Sequence, residues 1–446
     1  MEKLIEKYFE EHKNEMLESL SEIMSIDSSY SQPREGMPFG EGSARALKWA
    51  ENFGNSLGMT VKNIDNYAVS MDYMQGEPVL GILSHLDVVP AGEGWSFPPF
   101  ACTVKEDIIY GRGAVDDKGP SVAVLYAVKC LKELGVKLSK NFRLIMGGNE
   151  EGGCEDIAYY RSKEKFPPMV VTPDGSFPVL NCEKGMIHLE FEGEGSFDCK
   201  DIKFESIKGG TVINAIPGKT VCKAQLSGKL PDFPDCDTQL SDGGFTIAGQ
   251  SSHGSRPELG RNTVTALLDV LAKLGNPTAS VLSQLFPHGE FNGSSAGMGF
   301  SDSVSGEMTC ALTVLDYSGG KFTAGIDIRY PIDRTLGEMK KIIIGALEDR
   351  GMKILTCDGM EPHYVPEESE LVQALLKTYE KVRGEKGCCI AEGGITYVHE
   401  TDGGVAFGAE YPDENNNMHG ADEHISIATF RDNFLMYANA IIEICK

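Results

Sequence analysis

With 446 residues and 41% hydrophobic content, the chain exceeds what one compact core normally takes and predicts two domains. Its 41 basic against 66 acidic residues give a net charge of −25, which repels phosphate backbones and anionic membrane faces and so excludes nucleic acid and membrane as expected partners. No apolar run has signal-peptide or membrane-span length, and twelve cysteines without a Cys-x-x-Cys pair read as reduced thiols, so a cytoplasmic protein is expected.

Residues 3–24 place Leu4, Tyr8, His12, Met16, Leu20 and Ile23 near helical spacing. A second helix is predicted from Ser43, read as its N-cap, to Gly58. The near-continuous apolar run 78–90 is the mark of a strand covered on both faces. It ends in His85 and Asp87, which period two sends to one side. There a carboxylate can fix one ring nitrogen and leave the other for a metal, or simply satisfy a buried histidine. A glycine-rich turn, 111–120, then leads into a helix over 121–134; Asp116 and Asp117 precede its amino terminus, as capping charge or as cation ligands.

The apolar run 142–146 predicts a buried strand that opens into Gly147-Gly148-Asn149-Glu150-Glu151-Gly152-Gly153. Adjacent carboxylates on an irregular loop can face different ways, one holding a metal and one facing a reacting water. Another short strand, 169–172, runs into Asp174. A carboxylate or imidazole thus recurs at successive strand ends, where open α/β sheets bind ligands.

From about Glu183 the texture changes to alternating strands with hairpin-like turns at 228–231 and 242–244. Two helices, 262–274 and 336–347, each follow a group of strands and suggest an internal repeat; His253 and Arg329 are the polar residues that stand out. An α/β texture returns with a helix over 369–383, glycine-rich segments, His419 and a last helix over 427–445. The predicted fold class is α/β. A mixed, mostly parallel sheet with helices on both faces, residues 1–185 and 364–446, is interrupted by an α+β domain of two similar halves, 186–363.

His85-Leu86-Asp87, Asp116-Asp117, Glu150-Glu151, Asp174 and His419 fall in an order and spacing that resembles the M20 metallopeptidase family over nearly the whole chain. The likeness is greatest to PepV-type dipeptidases, through 85–92 with Gly94-Trp95, Asp116-Asp117-Lys118-Gly119-Pro120, and 174–178 with Glu183-Lys184-Gly185. The resemblance implies two divalent ions, zinc first and manganese or cobalt as alternatives: His85 and Asp174 on one, Glu151 and His419 on the other, Asp116 bridging. It implies a cis Asp116–Asp117 peptide, Asp87 orienting His85, and Glu150 as general base toward a metal-bridging water. The inserted domain would be a lid. From it His253 would stabilise the oxyanion, Asn214 contact the substrate and Arg329 take the free carboxylate of a short peptide.

The expected activity is metal-dependent hydrolysis of dipeptides with free termini. An N-acyl or N-succinyl amino acid amidohydrolase shares the same ligands, and a non-catalytic binding protein is the reading from another class. Where the family commonly carries an arginine after the late Gly-Gly-x-Thr turn, this chain reads Thr396-Tyr397-Val398-His399. The long, doubled lid suggests a monomer that supplies His253 to its own site.

Overall fold

The computed structural model describes residues 1–446, which divide into two compact units. The first comprises Met1–Asn181, Tyr364–Ile390 and Ile395–Lys446, and the second Cys182–His363 with Ala391–Gly394. The crossing therefore falls a few residues before the position read from the sequence. Residues 391–394 group with the inserted unit because their backbone is bonded there: the Lys184 N–H donates to the Glu392 carbonyl (2.9 Å) and Arg329 Nη1 to that of Gly393 (2.7 Å).

The first unit is built on a mixed sheet whose centre is parallel. Asn141–Gly147, Pro78–His85, Met169–Thr172 and Gly404–Ala406 lie side by side in that order, and Thr60–Ile64 and Ala68–Asp72 extend one edge antiparallel. Alternation along Pro78–His85 divides its side chains between two cores: Leu80 and Ile82 join a large cluster with helices Glu2–Met24, Glu41–Ser56, Lys118–Glu133, Glu370–Arg383 and Ile427–Cys445, while Leu83 joins Ile145, Val170, Ile157 and Tyr397 on the other face. Burial of each such side chain contributes about 1.5–3 kcal/mol. This two-sided burial fixes the register and hence which residues emerge at the strand ends.

The second predicted helix begins earlier than the sequence suggested, at Glu41 after Gly40, whose φ of 97° suits glycine. Ser43 is not the cap. It lies buried in the helix, and its hydroxyl donates to the carbonyl of Gly148 (2.8 Å). A small three-stranded sheet, His424–Ser426 against Ile108–Tyr110 against Thr103–Lys105, brings the segment after His419 alongside the glycine-rich turn that carries Asp116. No helix is long and apolar enough to cross a membrane.

The second unit is an eight-stranded antiparallel sheet in the order Asp237–Ser241, Gly244–Ala248, Lys219–Leu226, Ile202–Gly209, Thr309–Ser318, Lys321–Tyr330, Gly185–Glu194, Lys353–Met360. Two groups of four strands meet where Ile207 faces Tyr317. Helices Thr263–Lys273, Pro277–Leu285 and Leu336–Glu348 share a single core with the sheet. Asn262 caps the first of them, accepting from the N–H groups of Val264 and Thr265.

Candidate active site

The parallel strands deliver their terminal residues to one place. His85 ends its strand fully buried, with Nδ1 3.1 Å from the Asp87 carbonyl and 3.4 Å from Asp87 Oδ1. Its Nε2 lies 2.9 Å from Asp116 Oδ1 and 3.7 Å from Asp174 Oδ2. The other oxygen of Asp116 lies 2.8 Å from His419 Nε2, which is also 3.2 Å from Glu151 Oε1. Two groups of ligand-type atoms result, His85–Asp116–Asp174 and Asp116–Glu151–His419, each within 4.8 Å of one another and sharing Asp116. Asp116–Asp117 is a cis peptide.

Glu150 belongs to neither group. Its backbone N–H and that of Glu151 donate to the two carboxylate oxygens of Asp87 (3.1 Å each), so one residue braces both His85 and the two-glutamate loop. Sequence period alone assigned Asp87 only the first of these jobs.

The electrostatics follow from crowding mostly buried acids around one buried imidazole, His85, and one half-exposed imidazole, His419. Burial pushes the Glu150 carboxyl well above its usual range, with Asp174 adding to the shift; burial and Asp116 raise Glu151; burial raises Asp174 to about 7. Burial would do the same to Asp116, but hydrogen bonds from His419 and His85 hold it far below the ordinary carboxylate range. Burial likewise opposes charge on the imidazoles, yet Asp116 and Asp87 raise His85 well above its usual value, and Asp116 and Glu151 raise His419 to about 11. An excess of anionic oxygen with two imidazole nitrogens and no thiolate among the six ligand positions is a donor set that fits divalent zinc, manganese or cobalt.

Within the stretch Thr396-Tyr397-Val398-His399, where the family commonly carries an arginine, Tyr397 turns inward. It is fully buried, its ring lies edge-on to His85, and its hydroxyl donates to Asp156 Oδ2. The same oxygen accepts from the N–H groups of Gly148 (2.7 Å) and Asn149 (2.8 Å), immediately before Glu150. Burial pushes the Asp156 carboxyl up to about 7 against the pull of these donors. A side chain at Gly147 would collide with both the Tyr397 hydroxyl and Asp156. Tyr397→Phe is therefore expected to cost about 1–3 kcal/mol, read as a lower urea midpoint, because it withdraws a donor from a buried carboxylate. An unchanged midpoint would mean that the backbone donors alone hold the loop.

The remaining sequence-predicted residues lie in the second unit. Ala215 and His253 form an isolated antiparallel bridge, and the Gly254 N–H donates to the Asn214 carbonyl (2.7 Å). The Ser255 N–H points at His253 Nδ1 (3.2 Å), so in the neutral ring the proton resides on Nε2. A Cβ on Gly254 would stand 2.8 Å from the Asp327 carboxyl carbon, which puts this loop against Asp327 and its partner Arg329. Arg329 is buried. Its Nε and Nη2 fork onto Asp327 (2.9 and 2.8 Å), Nη2 also lies 3.5 Å from His188 Nε2, and Nη1 donates to the Gly393 carbonyl. His188 contacts Asp327 from the neighbouring strand (2.9 Å), and burial's upward push on Asp327 is outweighed by Arg329 and His188, leaving its carboxyl at about 2.

Residues 81–443 match the family model described as peptidase family M20/M25/M40. A Beta-Ala-Xaa dipeptidase of Lactobacillus delbrueckii subsp. lactis is 34% identical, with 98% of this chain and 97% of that protein covered. Among solved structures, the dipeptidase Dug1p of Saccharomyces cerevisiae aligns at a TM-score of 0.63 and 13% identity, over 99% of this chain and 98% of that one. Human carnosine dipeptidase 1 aligns at 0.60 and 16%, over the full length of both. The two structures share the fold, and the full-length relative and the family match go further: the chain belongs to peptidase family M20/M25/M40.

Proposed function

We propose that this peptidase is a metal-dependent dipeptidase acting on short peptides with free termini. The observation that carries the reading is the pair of ligand groups sharing Asp116, with Glu150 beside them and in neither. The Beta-Ala-Xaa dipeptidase, similar along its whole length, supports a dipeptide as substrate.

In this reading His85, Asp116 and Asp174 hold one cation and Asp116, Glu151 and His419 the other, zinc ahead of manganese or cobalt. The two cations would supply Lewis acidity for the scissile carbonyl and for the attacking water. Glu150 takes a proton from that water and passes it to the leaving amine. Asp87 keeps His85 oriented and the Glu150 backbone in place. His253 donates from Nε2 to the oxyanion, and Asn214 contacts the substrate. Arg329 takes the free carboxylate through N–H groups that Asp327 and the Gly393 carbonyl leave over. The segments 1–185 with 364–446 act as the catalytic part and 186–363 as the lid. Twelve free cysteines support a reducing, cytoplasmic location.

The test compares unblocked Ala-Leu with N-acetyl-Ala-Leu, using chelated protein and then protein resupplied with zinc or manganese. Chelation is expected to abolish cleavage and metal to restore it for the free dipeptide alone. Cleavage of the acetylated form alone would make the protein an acyl-amino-acid amidohydrolase, and no cleavage with any metal would leave a binding protein.

A further inference from the structure

Next to the ligand cluster lies an ion pair that belongs to neither group. Arg112 and Glu423 are 1% and 0% exposed and meet through Nη1 and Oε2. Charges so far from water are costly, and an apolar pair of similar volume would often stabilise a fold as well or better. What an ion pair can do that an apolar pair cannot is direct hydrogen bonds along set lines.

Those lines lead to two ligands. Glu423 Oε1 accepts from the N–H groups of Val115 (3.1 Å) and Asp116 (3.4 Å), and so holds the backbone of the shared carboxylate. Arg112 Nη2 donates to the carbonyl of His419 (3.2 Å) and to those of Pro90 and Ala91 (3.3 Å each). His419 has a φ of 62°, a left-handed backbone that a non-glycine residue keeps only where its surroundings enforce it. Trp95 closes over the guanidinium at 5.3 Å, anchored by its own Nε1–H to the Ala91 carbonyl (2.7 Å).

The other ligand group shares Asp116 and is otherwise held differently. His85 is set by Asp87 on its ring and by Asp117, whose Oδ2 accepts the His85 N–H (3.1 Å); no hydrogen bond joins these groups to Arg112 or Glu423. We propose that Arg112 and Glu423 are positioning residues that bear hardest on one metal site of the two: they fix the backbone of Asp116, which both groups share, and that of His419, which only the Asp116–Glu151–His419 group contains. The inference rests on the metal-site reading above.

Calorimetric titration of metal-free protein with zinc tests it, comparing wild type, Glu423→Gln, Glu423→Asp and the remote core variant Leu20→Ala. Wild type is expected to take two equivalents. Both Glu423 variants are expected to bind one equivalent about 10–100-fold more weakly and the other with a distinctly smaller loss. The same change made in a His419→Ala background is expected to weaken the one remaining equivalent only by that smaller factor. Leu20→Ala, which only loosens the core, is expected to leave both affinities unchanged. Glu423→Asp keeps the charge opposite Arg112 while drawing the carboxylate back from Val115 and Asp116, so it carries the test if the glutamine variant does not fold. Equal weakening of both equivalents, or of neither, overturns the inference while the metal-site reading stands. Fewer than two equivalents in wild type overturns both.

Discussion

Glu150→Gln is expected to lower kcat for a free dipeptide by about 10²–10⁴-fold while the protein still takes up two metal equivalents. The side chain of Glu150 lies outside both ligand groups, and glutamine keeps its shape and leaves untouched the backbone bond from residue 150 to Asp87. What glutamine cannot do is accept a proton. The wild-type carboxyl is well suited to that task, since burial and the neighbouring Asp174 push its proton affinity well above that of an ordinary glutamate. Metal analysis beside single-turnover rates checks the result. Loss of an equivalent in this variant would make Glu150 a ligand and leave the reaction without an assigned base.

His253→Ala is expected to lower kcat/KM by about 10²–10³-fold, the usual cost of losing one oxyanion donor. Adding an equimolar amount of the inactive Glu150→Gln chain is expected to restore nothing, because each chain is proposed to use its own imidazole. Recovery of activity in the mixture would place the histidine of one chain in the site of another, and the monomer reading would fall. Sedimentation of the same mixture reads the oligomeric state directly.

What the sequence made legible was whatever lies on a period. Leu80, Ile82, Leu144 and Val171 announced buried strands, and His85, Glu151 and Asp174, read at or just past strand ends, are among the clustered residues. The supports of the site were silent because their partners lie far along the chain. Ser43 and Gly148 are 105 residues apart, Asp156 and Tyr397 241, Arg112 and Glu423 311, and no local pattern encodes such pairs. Helix Glu155–Lys163 was missed for a related reason: only Asp156, Ile157 and Tyr160 are buried in it, too short a stripe for its period to show. Arg329 did carry a signal that went unused. Asp327 stands two residues earlier on the same strand, on the same face, and that spacing already meant an acid within reach of the guanidinium.

The insertion of one unit within the other also orders events during synthesis. Strand Gly404–Ala406, which pairs with Met169–Thr172, and helix Ile427–Cys445, which contributes heavily to the large core, are made only after all eight strands of the inserted unit have left the ribosome. A nascent chain emerges amino terminus first at about 5–20 residues per second. The inserted sheet can thus close while the first 181 residues still lack a central strand and two of the five helices around their large core. His419 arrives last of all the residues in the ligand groups, so no nascent chain that stops short of it holds both groups complete.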